Sequence, residues 1–253
     1  MHLQNKQVYF RLVNNKAAGE WVADVLIPAW NEEESLPLVL KDIPGEHVRK
    51  VVVCNNGSTD RTAAVAKECG AVVIDQPERG YGNACLAGIE YFKNLSNPEQ
   101  PDIVVFLDGD YSDYPEELPE IIKPIILGNA DLVVGSRRLG KMEPGAMTLP
   151  QRFGNWLAPF LIRIIWGYKF SDLGPFRAIR WDKLLALDIQ DKNYGWTVEM
   201  QVKAAKQKLI CVEVPVKYRK RARGKSKVSG TIKGAFMAGF IILNTIFKAI
   251  FQK

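Results

Sequence analysis

Three aspartates, Asp108, Asp110 and Asp113, crowd the end of the apolar run VVFLDGDYSDY at residues 104–114. A carboxylate at the end of a buried strand loses hydration. That loss is unfavourable unless a metal ion, a hydrogen-bond network or water at the sheet edge compensates it. The residues alone leave all three open. Further along, KYRKRARGKSK at 217–227 holds seven Lys or Arg and no acid. The chain carries a formal charge of +6, so the body without this strip is close to neutral. A concentrated basic strip attracts phosphate, whether of a nucleotide, a lipid headgroup or a nucleic acid. Its plain alternative is a solvated loop.

Other chemistries are disfavoured. The cysteines at 54, 69, 85 and 211 are scattered without a Cys-x-x-Cys pair, and the only histidines are His2 and His47. That set does not make a zinc site and reads as reduced thiols in a cytosolic protein. The N-terminal MHLQNKQVYFRLVNNK lacks the apolar centre of a signal peptide. With 253 residues, 47% hydrophobic and 25% charged, the chain has enough apolar content for one large domain or two small ones.

The elements that must position the aspartates follow from hydrophobic runs and their punctuation. Buried strands are expected at 23–30, 50–56, 71–76, 102–108, 130–137 and 209–218. Helices are expected between them: one capped by Asn31 with Glu32 to Glu34 in its first turn, one ending at Gly70, one over 83–95, and one after Pro115 that Pro119 and Pro124 shorten or bend. A further helix is expected around TVEMQVKAAKQ. Apolar strands alternating with helices predict a mostly parallel sheet covered on both faces. Ligands of such sheets bind beyond the strands' carboxyl ends. Trp30, Asn55, Asn56, Asp108, Asp110, Arg137 and Arg138 all fall there. Beyond residue 140 the pattern changes. Residues 151–170 are apolar and aromatic, and Phe236, Phe240, Leu243, Phe247 and Ile250 recur at helical spacing. The uncharged stretch 234–247 has 14 residues, short of the roughly 20 that cross a bilayer. It fits a helix lying on a membrane or on the domain.

Several motifs stand in order: IPAWNEEESL, NNGSTDRTAAVA, RGYGNACLAG, FLDGDYSDYPEEL, DLVVGSR, DLGPFRAIR and EVPVKYRKRARGKSKVSG. Together they resemble family 2 glycosyltransferases of the GT-A fold, and most nearly the dolichyl- and polyprenyl-phosphate sugar transferases. The resemblance covers about residues 22–230. It implies an α/β GT-A domain over 23–230, with a nucleotide-sugar half at 23–139 and an acceptor half at 140–230. An N-terminal extension at 1–22 and a C-terminal amphipathic helix at 231–253 flank it.

The resemblance also implies roles. Asp108 and Asp110 form the metal motif for Mg²⁺ or Mn²⁺. Ser112 stands where relatives have a further ligand and is a poor one, with Asp113 beside it. Pro28, Trp30 and Glu32 line the base and ribose pocket, and Trp30 keeps the flat stacking face of the usual Tyr. Asn55 takes the place of an acid that contacts the base, so UDP and GDP sugars both fit. Asp60 reads as a helix-start residue. Arg79 and Arg137 belong to the donor site. Asp172 or Glu199 would deprotonate a hydroxyl acceptor, and Arg177, Arg221, Arg223, Lys225, Ser226 and Lys227 would bind phosphate or acceptor.

The expected reaction is an inverting hexose transfer from a nucleotide-diphosphate sugar to a lipid phosphate. The expected place is the cytoplasmic membrane face, with the protein held peripherally. The alternatives are transfer to the hydroxyl of a soluble acceptor, and a non-catalytic basic protein binding lipid or nucleic acid. A nucleotidyltransferase would have a glycine-rich loop where this chain reads PAWNEEES. No nucleic-acid partner is expected.

Overall fold

The computed structural model describes residues 20–223 and 232–251, the side chains of the last segment from 239 onward. Seven strands form one sheet: β1 (Ala23–Ala29), β2 (Lys50–Asn55), β3 (Val72–Asp75), β4 (Ile103–Phe106), β5 (Leu132–Ser136), β6 (Arg177–Arg180) and β7 (Cys211–Pro215). Their order is β3-β2-β1-β4-β6-β5-β7. Pairing is parallel except at β6, which runs antiparallel to β4 and β5. The expected mostly parallel sheet is present, but β6 was not foreseen. Its four residues, RAIR, are an apolar pair between arginines and give no apolar run to read.

Side-chain alternation divides the core. Leu26, Val104 and Phe106 face one layer of helices: α3 (Tyr81–Lys93), α5 (Leu149–Trp166), α6 (Trp181–Leu187), α7 (Trp196–Lys206) and α8 (Ile232–Phe251). Val25, Ile27, Val105 and Leu107 face the other: α1 (Leu36–Asp42), α2 (Thr62–Glu68) and α4 (Leu118–Ile126). Strands buried on both faces have no room for a polar alternation, which is why their sequences read as continuous apolar runs.

Asn31 does not cap the first helix, which begins five residues later at Leu36. Asn31 takes a left-handed φ of 52°. Its Oδ1 accepts from Thr59 N at 2.8 Å, and its own N–H donates to Ser58 Oγ at 3.0 Å. Glu32 N donates to Thr62 Oγ1 at 2.8 Å, and Arg61 N donates to Glu33 Oε2 at 2.8 Å. The acids thus fasten the loop after β1 to the loop after β2 instead of opening a helix. Asp60 does start α2, accepting from Thr62 N at 2.9 Å. Gly70, at φ 82°, follows its end.

Gly88 lets α3 lie directly on β1 and β2. A Cβ there would stand 2.5 Å from Leu26 Cδ1 and 2.8 Å from Cys54 Sγ. Gly88→Val is therefore expected to lower stability by about 2 kcal/mol or more, measured as a lower denaturant midpoint. Gly45→Ala, where an added Cβ meets nothing within 4 Å among the described residues, is the control and should stay within about 1 kcal/mol of wild type. Equal midpoints for the two variants would refute this packing account.

Candidate active site

The carboxyl ends of β1, β2, β4 and β5 open into one cavity of about 1140 Å³. Pro28, Trp30 and Glu32 line it from β1, Arg79 from the loop before α3, Asp108 and Asp110 from β4, and Arg137 from β5. Arg221 reaches it from the segment after β7. These eight expected site residues are brought together from chain positions far apart.

Asp108 and Asp110 sit on the turn after β4. Tyr81 OH donates to Asp108 Oδ1 at 3.0 Å. Burial, and then the like charge of Asp110, push the Asp108 carboxyl up to about 7. Asp110 accepts from Ser112 N at 2.9 Å, and its other oxygen lies 3.1 Å from Arg221 Nη2. The same guanidinium donates to both Glu32 oxygens at 2.7 and 2.8 Å. Arg221 thus bolts the loop after β1 to the aspartate turn. Ser35 Oγ adds a second link, its single proton lying between Glu32 Oε2 at 2.8 Å and Gly109 O at 3.0 Å.

This pair fits a small divalent cation. Two hard carboxylates share one turn, and desolvation together with the like charge of Asp110 raises Asp108, a conflict that a positive ion resolves. Such ions keep few protein ligands and take the rest from phosphate and water. No fuller cage of three or more His, Cys, Asp or Glu occurs among the described residues.

The segment 216–221 straps the aspartate turn in place. Arg219 N donates to Ser112 O at 2.9 Å, and its side chain donates to Tyr111 O at 2.8 Å and Asp113 O at 3.1 Å. Its guanidinium lies 3.6 Å from the Tyr111 ring centre and 4.0 Å from that of Tyr114. Tyr111 has a left-handed φ of 61°, a costly conformation for a bulky residue that the strap holds. Asp113 is buried, with neither carboxylate oxygen hydrogen-bonded among the described residues. Burial, and then the charge of Asp108, raise its carboxyl well above the ordinary range.

Five expected site residues among the described ones lie off the cavity wall: Asn55, Asp172, Glu199, Arg177 and Arg223. Asn55 donates to Asp75 Oδ1 at 2.8 Å; its neighbour Asn56 faces the cavity instead. Adjacent strand-end residues point to opposite sides. Asn56 donates to Gln76 O and Glu78 O and accepts from Gly80 N, so it holds the loop carrying Arg79. Asp172 is fully buried against Arg137, accepting from its Nε at 2.7 Å, Nη2 at 2.8 Å and backbone N at 2.9 Å. Burial alone would raise this carboxyl, but Arg137 outweighs it and holds Asp172 below its ordinary value. Glu199 accepts from Asp191 N at 2.7 Å and Gln190 N at 3.1 Å and pairs with Lys203 at 2.7 Å. It buttresses the 190–195 loop, whose Lys192 O and Asn193 O cap the start of α3.

Arg177 is fully buried and donates to Gly174 O at 3.0 Å, Leu173 O at 3.1 Å and Thr197 O at 3.2 Å. Burial pulls it down to about 10. It staples backbone rather than meeting a phosphate in the cavity. Arg223 is exposed and off the wall. Lys225, Ser226 and Lys227 lie outside the described residues.

Tyr81, Asn56 and Tyr218 are wall residues with no role assigned from sequence. Tyr218 lies under Arg137, 4.9 Å from ring centre to guanidinium. Only α3's approach to the end of β4 brings Tyr81 to Asp108, and no local pattern signals it. Over the outer part of the cavity, the Arg79 guanidinium stands 4.0 Å from the Trp30 ring centre. α5 and α8 add apolar wall through Leu149, Phe153, Leu157, Phe240 and Leu243, with the polar Gln151 and Asn155 of α5 among them.

Comparison with known proteins agrees with this architecture. An uncharacterized glycosyltransferase of Mycobacterium tuberculosis is 37% identical over 223 residues, covering 87% of this chain and 95% of that protein. The undecaprenyl-phosphate mannosyltransferase of Micrococcus luteus is 34% identical over 224 residues, covering 83% and 88%. Among solved structures, glucosyl-3-phosphoglycerate synthase of Mycobacterium tuberculosis with Mn²⁺, UDP-glucose and phosphoglyceric acid superposes with a TM-score of 0.68. That match is at 22% identity, over 91% of this chain and 81% of that one. The expected GT-A fold is the one observed. The family profile described as Glycosyl transferase family 2 matches residues 24–186, and with relatives this similar along nearly their whole length, the chain belongs to that family and is a glycosyltransferase.

Proposed function

We propose that this enzyme transfers a hexose, with inversion, from a nucleotide-diphosphate sugar to a polyprenyl phosphate. The observation that carries the reading is the two-sided cavity. One end gathers Asp108, Asp110, Arg137 and Arg221, and the other is walled by apolar residues of α5 and α8. A phosphate with a hydrocarbon tail has the same two-part chemistry. The Micrococcus luteus relative is named for such an acceptor.

Trp30 would offer the nucleotide base a flat face when the Arg79 guanidinium, which stands 4.0 Å from its ring centre, moves aside. Arg137 and Arg221 orient phosphate oxygens through charge-assisted hydrogen bonds. Asp108 and Asp110 would hold Mg²⁺ or Mn²⁺, which offsets the charge that builds on the diphosphate as the glycosidic bond breaks. An acceptor phosphate is already ionised, so its oxygen attacks the anomeric carbon without a base. That suits a site whose two expected bases, Asp172 and Glu199, are both committed elsewhere. The second reading, a soluble hydroxyl acceptor, is favoured by the phosphoglycerate bound in the synthase. It requires one of these carboxylates to leave its partners.

The acceptor would be met at the cytoplasmic face of the membrane, with the protein bound peripherally. No helix among the described residues is long and apolar enough to cross a bilayer. On α5, however, Phe153, Trp156, Phe160 and Ile164 stand exposed, as do Phe240, Phe247 and Ile250 on α8. Neither helix contains an acid, and Arg152, Arg163 and Lys248 flank the aromatics. An apolar face with cations and no anions complements an anionic bilayer. The Phe236 side chain lies outside the described residues.

Three measurements test this reading. Thermal unfolding with UDP or GDP plus Mn²⁺ should show a stabilisation with one nucleotide, lost with EDTA and in Asp110→Ala. At about 100 times the dissociation constant it amounts to about 2.7 kcal/mol; no shift with either nucleotide would sink the donor site.

Because Asp172 is held below its ordinary value, its pairing stabilises the fold fully above about pH 4 and less as pH falls through the lower folded value. Asp172→Asn should therefore lower stability at neutral pH and flatten the acid limb. It should also leave measurable transfer to polyprenyl phosphate. Complete loss of transfer in a folded variant would favour a base and a hydroxyl acceptor.

Flotation with anionic vesicles should capture wild type in a salt-sensitive way and fail for Trp156→Ser/Phe160→Ser at unchanged Tm. Equal flotation of both proteins would refute the membrane face.

A further inference from the structure

Arg137 is held from three sides. Its Nε and Nη2 donate to the two oxygens of Asp172 at 2.7 and 2.8 Å, and its guanidinium lies 4.9 Å from the Tyr218 ring centre. Nη2 also donates to Asn155 Oδ1 at 3.3 Å. Nη1 differs: it has no hydrogen-bond partner among the described residues. Arg137 keeps only 7% exposure, and it lines the cavity. A guanidinium has five N–H groups, so the two on Nη1 are left for a ligand.

Asn155, on α5, lines the same cavity. Its Oδ1 accepts from two N–H groups, Arg137 Nη2 and Leu173 N, each at 3.3 Å. Two donors on one atom decide which end of this amide is oxygen, because an NH₂ could accept from neither. The NH₂ end has one partner among the described residues, Met147 Sδ at 3.3 Å. A thioether is a weak acceptor, and the amide has two N–H groups to place. The contact between Arg137 and Asn155 thus sets an under-used amide donor beside an unused guanidinium nitrogen. The adjacent acid, Asp172, is already taken up by Nε, Nη2 and two backbone N–H groups. Arg221 is in the opposite state, with both terminal nitrogens turned to Glu32 and Asp110. An anion that brings a divalent cation suits that acidic side. An anion that arrives alone suits the side that offers donors.

We propose that Asn155 is an acceptor-binding residue, whose amide N–H joins Arg137 Nη1 in receiving the acceptor's phosphate. This assignment rests on the reading above that the acceptor is a phosphate, and adds to it the wall that holds that group. The chemistry recognised is a phosphate monoester bound by charge-assisted hydrogen bonds. A prenyl phosphate and a phosphoglycerate both present one, so the two serve as separate probes.

The test uses the full chain with Asn155→Asp and Asn155→Leu. Aspartate keeps the shape and the acceptor facing Arg137 Nη2 and Leu173 N, but turns the donor into an anionic oxygen. Leucine is neutral, similar in size and donates nothing. Calorimetry gives Kd for geranyl phosphate and for phosphoglycerate, beside KM for transfer and the nucleotide–Mn²⁺ thermal shift. Wild type should bind geranyl phosphate and not phosphoglycerate. Both variants should raise that Kd and the acceptor KM by about tenfold or more, the range for losing a hydrogen bond to a charged group. The nucleotide–Mn²⁺ shift should persist in both. An Asp variant that binds geranyl phosphate as wild type does, with only Leu weakened, reduces Asn155 to a support for Arg137. That overturns the inference and leaves the lipid acceptor standing. So does loss of the nucleotide–Mn²⁺ shift in folded variants. Wild type that binds phosphoglycerate alone, with both variants weakened, upholds Asn155 and overturns the lipid acceptor. Wild type that binds neither probe, yet shows the nucleotide–Mn²⁺ shift, overturns both.

Discussion

Everything at the site depends on holding two like charges together where a buried strand ends at the cavity. Asp108 and Asp110 repel each other, and Asp108 is desolvated as well. Left to itself, such a turn would relax away from the pair. The surrounding structure prevents that from several directions. Tyr81 hydrogen-bonds Asp108 from α3, Arg221 bridges Asp110 to Glu32, and Arg219 clamps the backbone just beyond. The residues after the second aspartate accept left-handed backbone and a buried Asp113 whose carboxylate has no hydrogen bond among the described residues. Strain kept at a binding site persists only where neighbours over-determine it.

Those neighbours are themselves fixed by loops that have little regular structure. The loops after β1 and β2 clasp each other through Asn31, Glu32, Glu33 and Thr62. The loop before α7 caps α3 through backbone carbonyls, and Glu199 holds that loop from below. Carboxylates that look available in the sequence are thus consumed as acceptors for backbone N–H groups, each of which needs a partner once buried. The Asp172–Arg137 pair works in the same way: its acid fixes the arginine, and the arginine faces the cavity.

The two helices that follow β5 and close the chain extend this polar site into an apolar one. α5 begins with a reciprocal cap between Thr148 and Gln151 and ends at left-handed Gly167. Both helices bury one stripe, α8 against α5 and α7, and leave aromatic residues outside. A helix apolar on more than one face needs a second partner beyond the core it packs on. Here one of those faces also walls the cavity, so the same two elements serve the fold, the cavity and the outer surface.

The sequence by itself determined the layered α/β arrangement, because strands buried on both faces must be apolar throughout and the breaks between them are marked by Gly, Pro and Asn. It also determined which strand ends carry polar groups, and hence Trp30, one of Asn55 and Asn56, Asp108, Asp110 and Arg137 at the site, since parallel strands bring their carboxyl ends to one edge. It could not show β6, whose four residues form a strand only because β4 and β5 leave a gap that an antiparallel segment fills. Nor could it distinguish Asn55 from Asn56, or a facing carboxylate from a committed one such as Asp172 or Glu199. Those outcomes depend on which way a side chain turns and which distant N–H or guanidinium it meets, separations of 35 residues for Asp172 and 189 for Glu32. Contacts that far apart in the chain have no local pattern, and only the packed structure decides them.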